Sequence, residues 1–225
     1  MLLKRDDAVL VVIDVQERLL PFIHDSELTV RQVVRLVRGF HILGLPILVT
    51  EQYRKGIGPT DARVVDALIR PESVDEPLPP IYASDTDLPE RRVQPAVPPL
   101  GGVPPQGAAS AAQASFEPLE KMTFSCAEHP PFMEALRATG RSHVWLCGIE
   151  SHVCVLQTAL QLVERSFDVF LAADAVSSRS PRNVEIALRR MEREGVHLTS
   201  VEAGVFEMMH VSGTPEFKRW SRQIR

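Results

Sequence analysis

Six consecutive apolar residues, Ala8 to Ile13, open the regular part of the chain and end at Asp14. An apolar, β-branched run without polar alternation is the pattern of a strand buried on both faces, as in a parallel sheet. Helical spacing follows. Val30, Val33, Val34, Val37 and His41 fall on one face, which predicts a helix over Leu28 to Leu43 that Gly44 stops. Pro46 to Thr50 predicts the next strand, and Asp61 to Ile69 a shorter helix.

The same alternation resumes in the second half. Glu117 to Met122 reads as a short strand, and Pro131 to Thr139 as a helix ending at Gly140. Ser142 to Cys147 reads as a strand closed by Gly148. Ser151 to Arg165 is a helix with Val155, Leu156, Ala159, Leu160 and Val163 as its apolar positions. Asp168 to Ala173 is a strand. Pro181 to Glu194 is a helix, with Pro181 suited to its first turn and Gly195 to its end. Val196 to Ser200 is a last strand, and helices near Val205 to His210 and from Pro215 onward finish the chain. Strands alternating with helices predict an α/β fold, a three-layer sandwich whose mostly parallel central sheet is covered by helices on both faces.

Composition changes this picture in one place. Pro71 to Pro118 holds eleven of the chain's 18 prolines and the Ala/Gly/Ser stretch from Gly101 to Ser115. Proline has no N–H to give to a ladder, and small residues gain little from burial. The regular pattern resumes on both sides, so this is an excursion from a single domain spanning residues 1–225. At 44% hydrophobic the chain can bury a full core, yet it has no continuous apolar run of about 18 residues, so no membrane partner is expected. The net charge of −4, with scattered basic residues, gives no nucleic-acid footprint. The N-terminus runs straight into a core-type strand without a signal-peptide pattern, so a cytoplasmic protein is expected. Three cysteines, Cys126, Cys147 and Cys154, make an odd count that argues against a disulfide framework.

Ligands of open parallel sheets bind at the carboxyl ends of the strands. Asp14 lies at such an end, Lys121 on or just after the strand that follows the excursion, and Cys154 in the first turn of a helix entered directly from a strand. With Ser151 as N-cap, Cys154 falls near the N3 position, where unpaired N–H groups, the helix dipole and a nearby lysine favour a thiolate. Each residue has an ordinary alternative: a packed cysteine, a strand-end carboxylate capping a loop, a solvated lysine. Cys126, close in sequence to Lys121, reads as a packing residue, with a place near the pocket mouth as the alternative, and Cys147 reads as core.

Taken in order, Val9 to Gln16, Lys121 to Ser125, Cys147 to Val155 and Ala172 to Arg179 resemble the isochorismatase-like cysteine hydrolases over almost the whole chain except the excursion. Val49 to Tyr53 and Thr214 to Phe217 are most similar to the isochorismatase domain-containing proteins, a subgroup generally without an assigned substrate. The resemblance implies a catalytic triad of Asp14, Lys121 and Cys154. It also implies a cis peptide between Ile149 and Glu150, with the N–H groups of Glu150 and Cys154 as an oxyanion hole. Two departures narrow the reaction. True isochorismatases do not use a cysteine nucleophile at this position, which argues here for acyl chemistry. Nicotinamidases carry an aspartate and histidines after the second strand, where this chain has Glu51-Gln52-Tyr53, so neither a metal nor a cofactor is expected.

The expected activity is hydrolysis of a small amide or related acyl compound through a thioester. Gln16, Leu20, Tyr53, Phe124 and His152 are expected to line the substrate pocket. His152, two residues before the nucleophile, reads as pocket-lining rather than as its base. A homodimer or larger homo-oligomer is expected, with Phe206, Met208, Met209, Phe217 and Trp220 as interface candidates that core packing also explains. The rival readings are a binding or scaffold protein that keeps the fold without turnover, and a redox-responsive cysteine protein.

Overall fold

A computed structural model describes residues 3–76, 78 and 116–224. Its centre is a six-stranded sheet in the order β3-β2-β1-β4-β5-β6, parallel throughout. The strands are β1 (Ala8–Ile13), β2 (Ile47–Gln52), β3 (Leu119–Lys121), β4 (His143–Ile149), β5 (Asp168–Ser177) and β6 (His197–Thr199). The helices are α1 (Ser26–Leu43), α2 (Arg54–Ile57), α3 (Ala62–Ile69), α4 (Pro130–Ala138), α5 (Leu156–Glu164), α6 (Pro181–Arg193), α7 (Val201–Met209) and α8 (Pro215–Gln223).

Alternation along the buried strands builds two cores. From β1, Leu10 and Val12 join one core with Val30, Val33 and Val37 of α1, Val64 of α3, Val205 of α7 and Trp220 of α8. Val9, Val11 and Ile13 join the other with Phe132 of α4, Leu162 of α5 and Met191 of α6. Every side chain of β1 is fully buried. At roughly 1.5–3 kcal/mol for each fully buried large apolar side chain, this strand is a principal source of cohesion and a rigid base for whatever follows Ile13. Met208 and Trp220 are buried in the first core, with Phe206 and Met209 packed against it. Of the apolar residues expected at an interface, these four therefore belong to the core or pack on it, while Phe217 is half-buried against Phe206.

Several boundaries move from expectation. Pro71–Asp75, the start of the proline-rich excursion, is a 3-10 helix with Ser73 and Val74 buried. Residues 77 and 79–115 of that excursion lie outside the described residues. Strand β5 runs on to Ser177 and helix α7 begins at Val201, ahead of the expected Val205.

Gly148 does not close a strand. It lies inside β4 with φ of 118°, paired with Ile13 of β1. A Cβ built on it would overlap the Ile13 carbonyl. The glycine is there because two backbones approach closely with positive φ, a combination that other residues do not tolerate.

Candidate active site

Strand order turns back between β1 and β4, the two strands from which the chain leaves in opposite directions across the sheet. A crevice at the carboxyl ends of such a pair is where open parallel sheets hold ligands. Asp14 follows β1 there, and the turn bearing Cys154 follows β4.

Asp14 has φ of 52°, in the left-handed region. Aspartate enters that region more readily than most residues, and such backbone positions cost on the order of 1–3 kcal/mol. The surroundings hold it there. Its N–H donates to Thr50 O at 3.2 Å, and its carbonyl accepts from Gln16 N–H at 2.8 Å. Its side chain is fully buried and engaged at both oxygens. Thr50 Oγ1 donates to Oδ1 at 2.7 Å, and Lys121 Nζ donates to Oδ2 at 2.7 Å.

Lys121 ends the short edge strand β3, and its side chain reaches past β2 to Asp14. Nζ also donates to Gln52 Oε1 at 2.7 Å and lies 3.1 Å from Phe124 O and 3.3 Å from Thr123 O. Burial is the largest influence on this ammonium and works against its charge. The charge of Asp14, followed by Cys126 and Cys154, outweighs it, so the net shift is upward and Lys121 stays protonated. A buried ion pair is weak evidence for stability, because desolvation offsets the attraction. Here the pair is completed by neutral oxygens on every side, which suits a fixed electrostatic element.

Cys154 lies in a π-helical turn, Ser151–Val155, that leads into α5. Such turns recur at functional sites. Ser151 is therefore not the N-cap of an α-helix. Glu150 precedes the turn without a side-chain cap, and Ser151 Oγ pairs with Ser178 Oγ at 3.0 Å. The Ile149–Glu150 peptide bond is cis. Cys154 is 6% exposed, and its thiol feels the charge of Asp14. Burial first, and then the charge of Asp14, push its thiol up, while Lys121 pulls the other way without prevailing. The expected thiolate is thus corrected: desolvation and the charge of Asp14 outweigh the helix start and the lysine and favour the thiol.

The remaining expected residues separate. Gln16 is fully buried and committed to backbone groups: Nε2 donates to Gln52 O and Gly58 O, and Oε1 accepts from Gln52 N–H at 2.8 Å. It clamps the loop after β1 to the end of β2, so its expected part in ligand binding gives way to a structural one. Leu20 is nearly buried in a 3-10 turn, packed in the α1-side core. Tyr53 and Phe124 are 44% and 55% exposed, and Tyr53 N–H donates to Lys121 O at 3.0 Å. His152 is half-buried, with Nδ1 2.9 Å from Ser178 Oγ and Nε2 3.3 Å from Asn183 Nδ2. Both ring nitrogens are occupied, and Asp14 holds the place beside the thiol. Glu150 Oε2 accepts from Arg179 N–H at 3.0 Å and Nε at 3.1 Å, tying the loop after β5 to the turn that bears Cys154.

Thr50, Gln52 and Cys126 are site residues that sequence reasoning missed as such. The register pairing Gln52 with Lys121 is what a known strand order would have exposed. Cys126, read as a packing residue with a place near the pocket mouth as the alternative, is fully buried with Sγ 3.7 Å from Thr50 Oγ1. Among the described residues, no group of three or more His, Cys, Asp or Glu is placed to hold a metal ion. Among them, too, no helix is long and apolar enough to cross a membrane.

Comparison with known proteins agrees with this architecture. The secreted isochorismatase effector Isc1 of Phytophthora sojae (strain P6497) is 30% identical over 221 residues, 97% of this chain and 84% of the effector. Isochorismatase domain-containing protein 2 of Rattus norvegicus is 29% identical over 221 residues, 98% of this chain and 82% of that protein. A structure described as the MAR1 ribonuclease from Caenorhabditis elegans aligns with a TM-score of 0.73 at 29% identity, over 99% of this chain and 91% of the other. The family model for the isochorismatase domain matches residues 8–203, and the chain belongs to the isochorismatase family of hydrolases.

Proposed function

We propose that the protein hydrolyses a small amide or related acyl compound, with Cys154 as nucleophile, Asp14 as its proton acceptor and Lys121 as the cation that fixes Asp14. The observation that carries this reading is a nearly buried thiol under the charge of a carboxylate that is itself locked to a buried ammonium at 2.7 Å. As the thiol attacks a carbonyl carbon, its proton passes to Asp14, so the thiolate exists only as the new C–S bond forms. The N–H groups of Glu150 and Cys154 receive the developing oxyanion, a role in which one donor is worth about 3 kcal/mol. Asp14 then returns the proton to the leaving amine. The same carboxylate takes a proton from water, which attacks the thioester and frees Cys154.

Tyr53, Phe124 and His152 are proposed to line the substrate space, which favours a small, partly apolar acyl compound. Phosphodiester cleavage, the activity named for the nematode relative, is not what these residues support. Phosphate backbones are held by clustered lysines and arginines, whereas Lys121 is already engaged by Asp14 and Gln52 and the net charge is −4. Three free cysteines suit a reducing compartment such as the cytoplasm. A homo-oligomer remains part of the proposal. It draws no support from α7 and α8, and sedimentation of the full chain tests it.

The experiment is a panel of small amides and activated esters, with the adduct on Cys154 followed by peptide mass spectrometry. A mass increase equal to the acyl group at Cys154, absent in Cys154→Ala, is expected. Turnover that survives Cys154→Ala would overturn the nucleophile. The protonated, nearly buried thiol is the one observation favouring a binding protein that retains the site without turnover, and the absence of any adduct across the panel would establish that rival.

A further inference from the structure

Resting on the reading of Asp14 as proton acceptor, we propose that Thr50 and Cys126 are positioning residues that fix the orientation of the Asp14 carboxylate by a chain of hydrogen bonds donated toward it. The argument is one of hydrogen counting. A carboxylate only accepts, so the 2.7 Å contact from Thr50 Oγ1 to Asp14 Oδ1 uses the single hydroxyl proton of Thr50. The hydroxyl's lone pairs are then free to accept, and Cys126 Sγ lies 3.7 Å away as the donor. Burial, followed by the charge of Asp14, pushes the Cys126 thiol up to about 11, so at neutral pH it carries the proton that this direction requires. The relay therefore runs one way, from Cys126 S–H to Thr50 O–H to Asp14.

Its anchoring explains why it positions as well as donates. Thr50 holds Asp14 twice, since its own carbonyl accepts the Asp14 N–H at 3.2 Å. With Oδ1 bound by Thr50 and Oδ2 by Lys121, the carboxylate cannot rotate without breaking a charge-assisted bond. Cys126 is held in turn by its N–H, which donates to Thr158 Oγ1 at 2.9 Å. Thr158 lies four residues after Cys154, in the helix that the nucleophile's turn leads into. The relay thus ties the nucleophile's helix to the strand bearing the proton acceptor through groups that touch no substrate.

The test follows acylation of the full chain by p-nitrophenyl acetate, with nitrophenolate release measured across pH and the adduct on Cys154 checked by peptide mass. Thr50→Val keeps the shape and removes the donor. Its acid limb is expected to move up by about one pH unit and its plateau rate to fall about tenfold, the scale of one hydrogen bond to a charged group. Thr50→Ser is expected to restore both, and Cys126→Ala to move the limb in the same direction by less. A Thr50→Val profile that superimposes on the parent, or a rate loss with an unmoved limb that Thr50→Ser does not rescue, overturns the proposal. Should Thr50→Val fail to fold, Cys126→Ala decides: an unmoved limb overturns it. Failure of the underlying reading looks different, since Asp14→Asn would then acylate Cys154 with the parent's pH profile.

Discussion

At the carboxyl rim of the sheet, Lys121 is buried against Asp14 with two thiols nearby. Between α1 and α8, Arg35 and Arg38 are buried as well. Arg35 Nε donates to Gln223 O at 2.8 Å, and Arg38 Nη1 donates to Gln223 Oε1 and Glu76 O, both at 2.9 Å. Gln223 Nε2 completes the clamp by donating to Val74 O at 2.7 Å. Both groups bury charge and join distant parts of the chain. They differ in what their protons can do. A guanidinium stays protonated at any ordinary pH, and the Gln223 and Glu76 oxygens it meets here are neutral carbonyls. At the rim the charges of Asp14 and Lys121 act on two thiols, and Asp14 and the thiols act on Lys121. Buried charge alone does not mark a reactive site; buried charge with exchangeable neighbours does.

Substitutions can break that contrast. The largest effect is expected for Lys121→Met, which strands the Asp14 carboxylate without its cation. Removing one partner of a buried pair costs about 3–5 kcal/mol, and acylation of Cys154 should be lost with it, read by denaturant unfolding and adduct mass. Arg38→Met in the clamp should cost less, about 1–3 kcal/mol for the acceptors it leaves unmade. It should leave the acylation rate at the parent value, and a reduced rate would mean that the two regions are coupled.

A pH scan sharpens the difference further. Burial raises the Cys126 thiol from 9.0 to about 11, and raises Cys147 and Cys154 as well. With folded values above unfolded ones, the stabilisation is complete below the unfolded value near 9.0 and is lost as pH climbs through the folded values. The melting temperature should therefore fall on the alkaline side. Cys147→Ala should soften the fall without touching acylation, because Cys147 lies away from the rim, its thiol 3.9 Å from Val11 O in the core. The smallest change in stability is expected for Phe124→Ala, within about 0.5 kcal/mol for so exposed a side chain. Its effect should appear instead in which acyl probes react fastest.

How much of this was legible in the sequence depended on where each partner lies. Strands β1 and β4 could be read because buried parallel strands leave unbroken apolar runs. Strand β3 is three residues long, and Lys121 was singled out by resemblance to a family more than by any local pattern. Thr50 and Gln52 look like ordinary polar residues at a strand end. Their importance comes from Asp14 and Lys121, which reach them across neighbouring strands. The state of Cys154 was misjudged for a related reason. A helix start and a lysine are visible along the chain, whereas desolvation and the approach of Asp14 belong to the folded molecule. Gln16 misled in the opposite sense, because its amide serves backbone groups of a loop that the sequence does not place.

Gly148 sets a clearance that the chemistry inherits. It is registered against Ile13, one residue before Asp14, and it stands six residues before Cys154 on the neighbouring strand. A single methyl at that point would wedge β1 and β4 apart where carboxylate and sulfur must meet. An alanine there should leave the helices and most of both cores in place while shifting Asp14 relative to Cys154. The separation of acid and thiol is, in effect, machined by an omitted side chain.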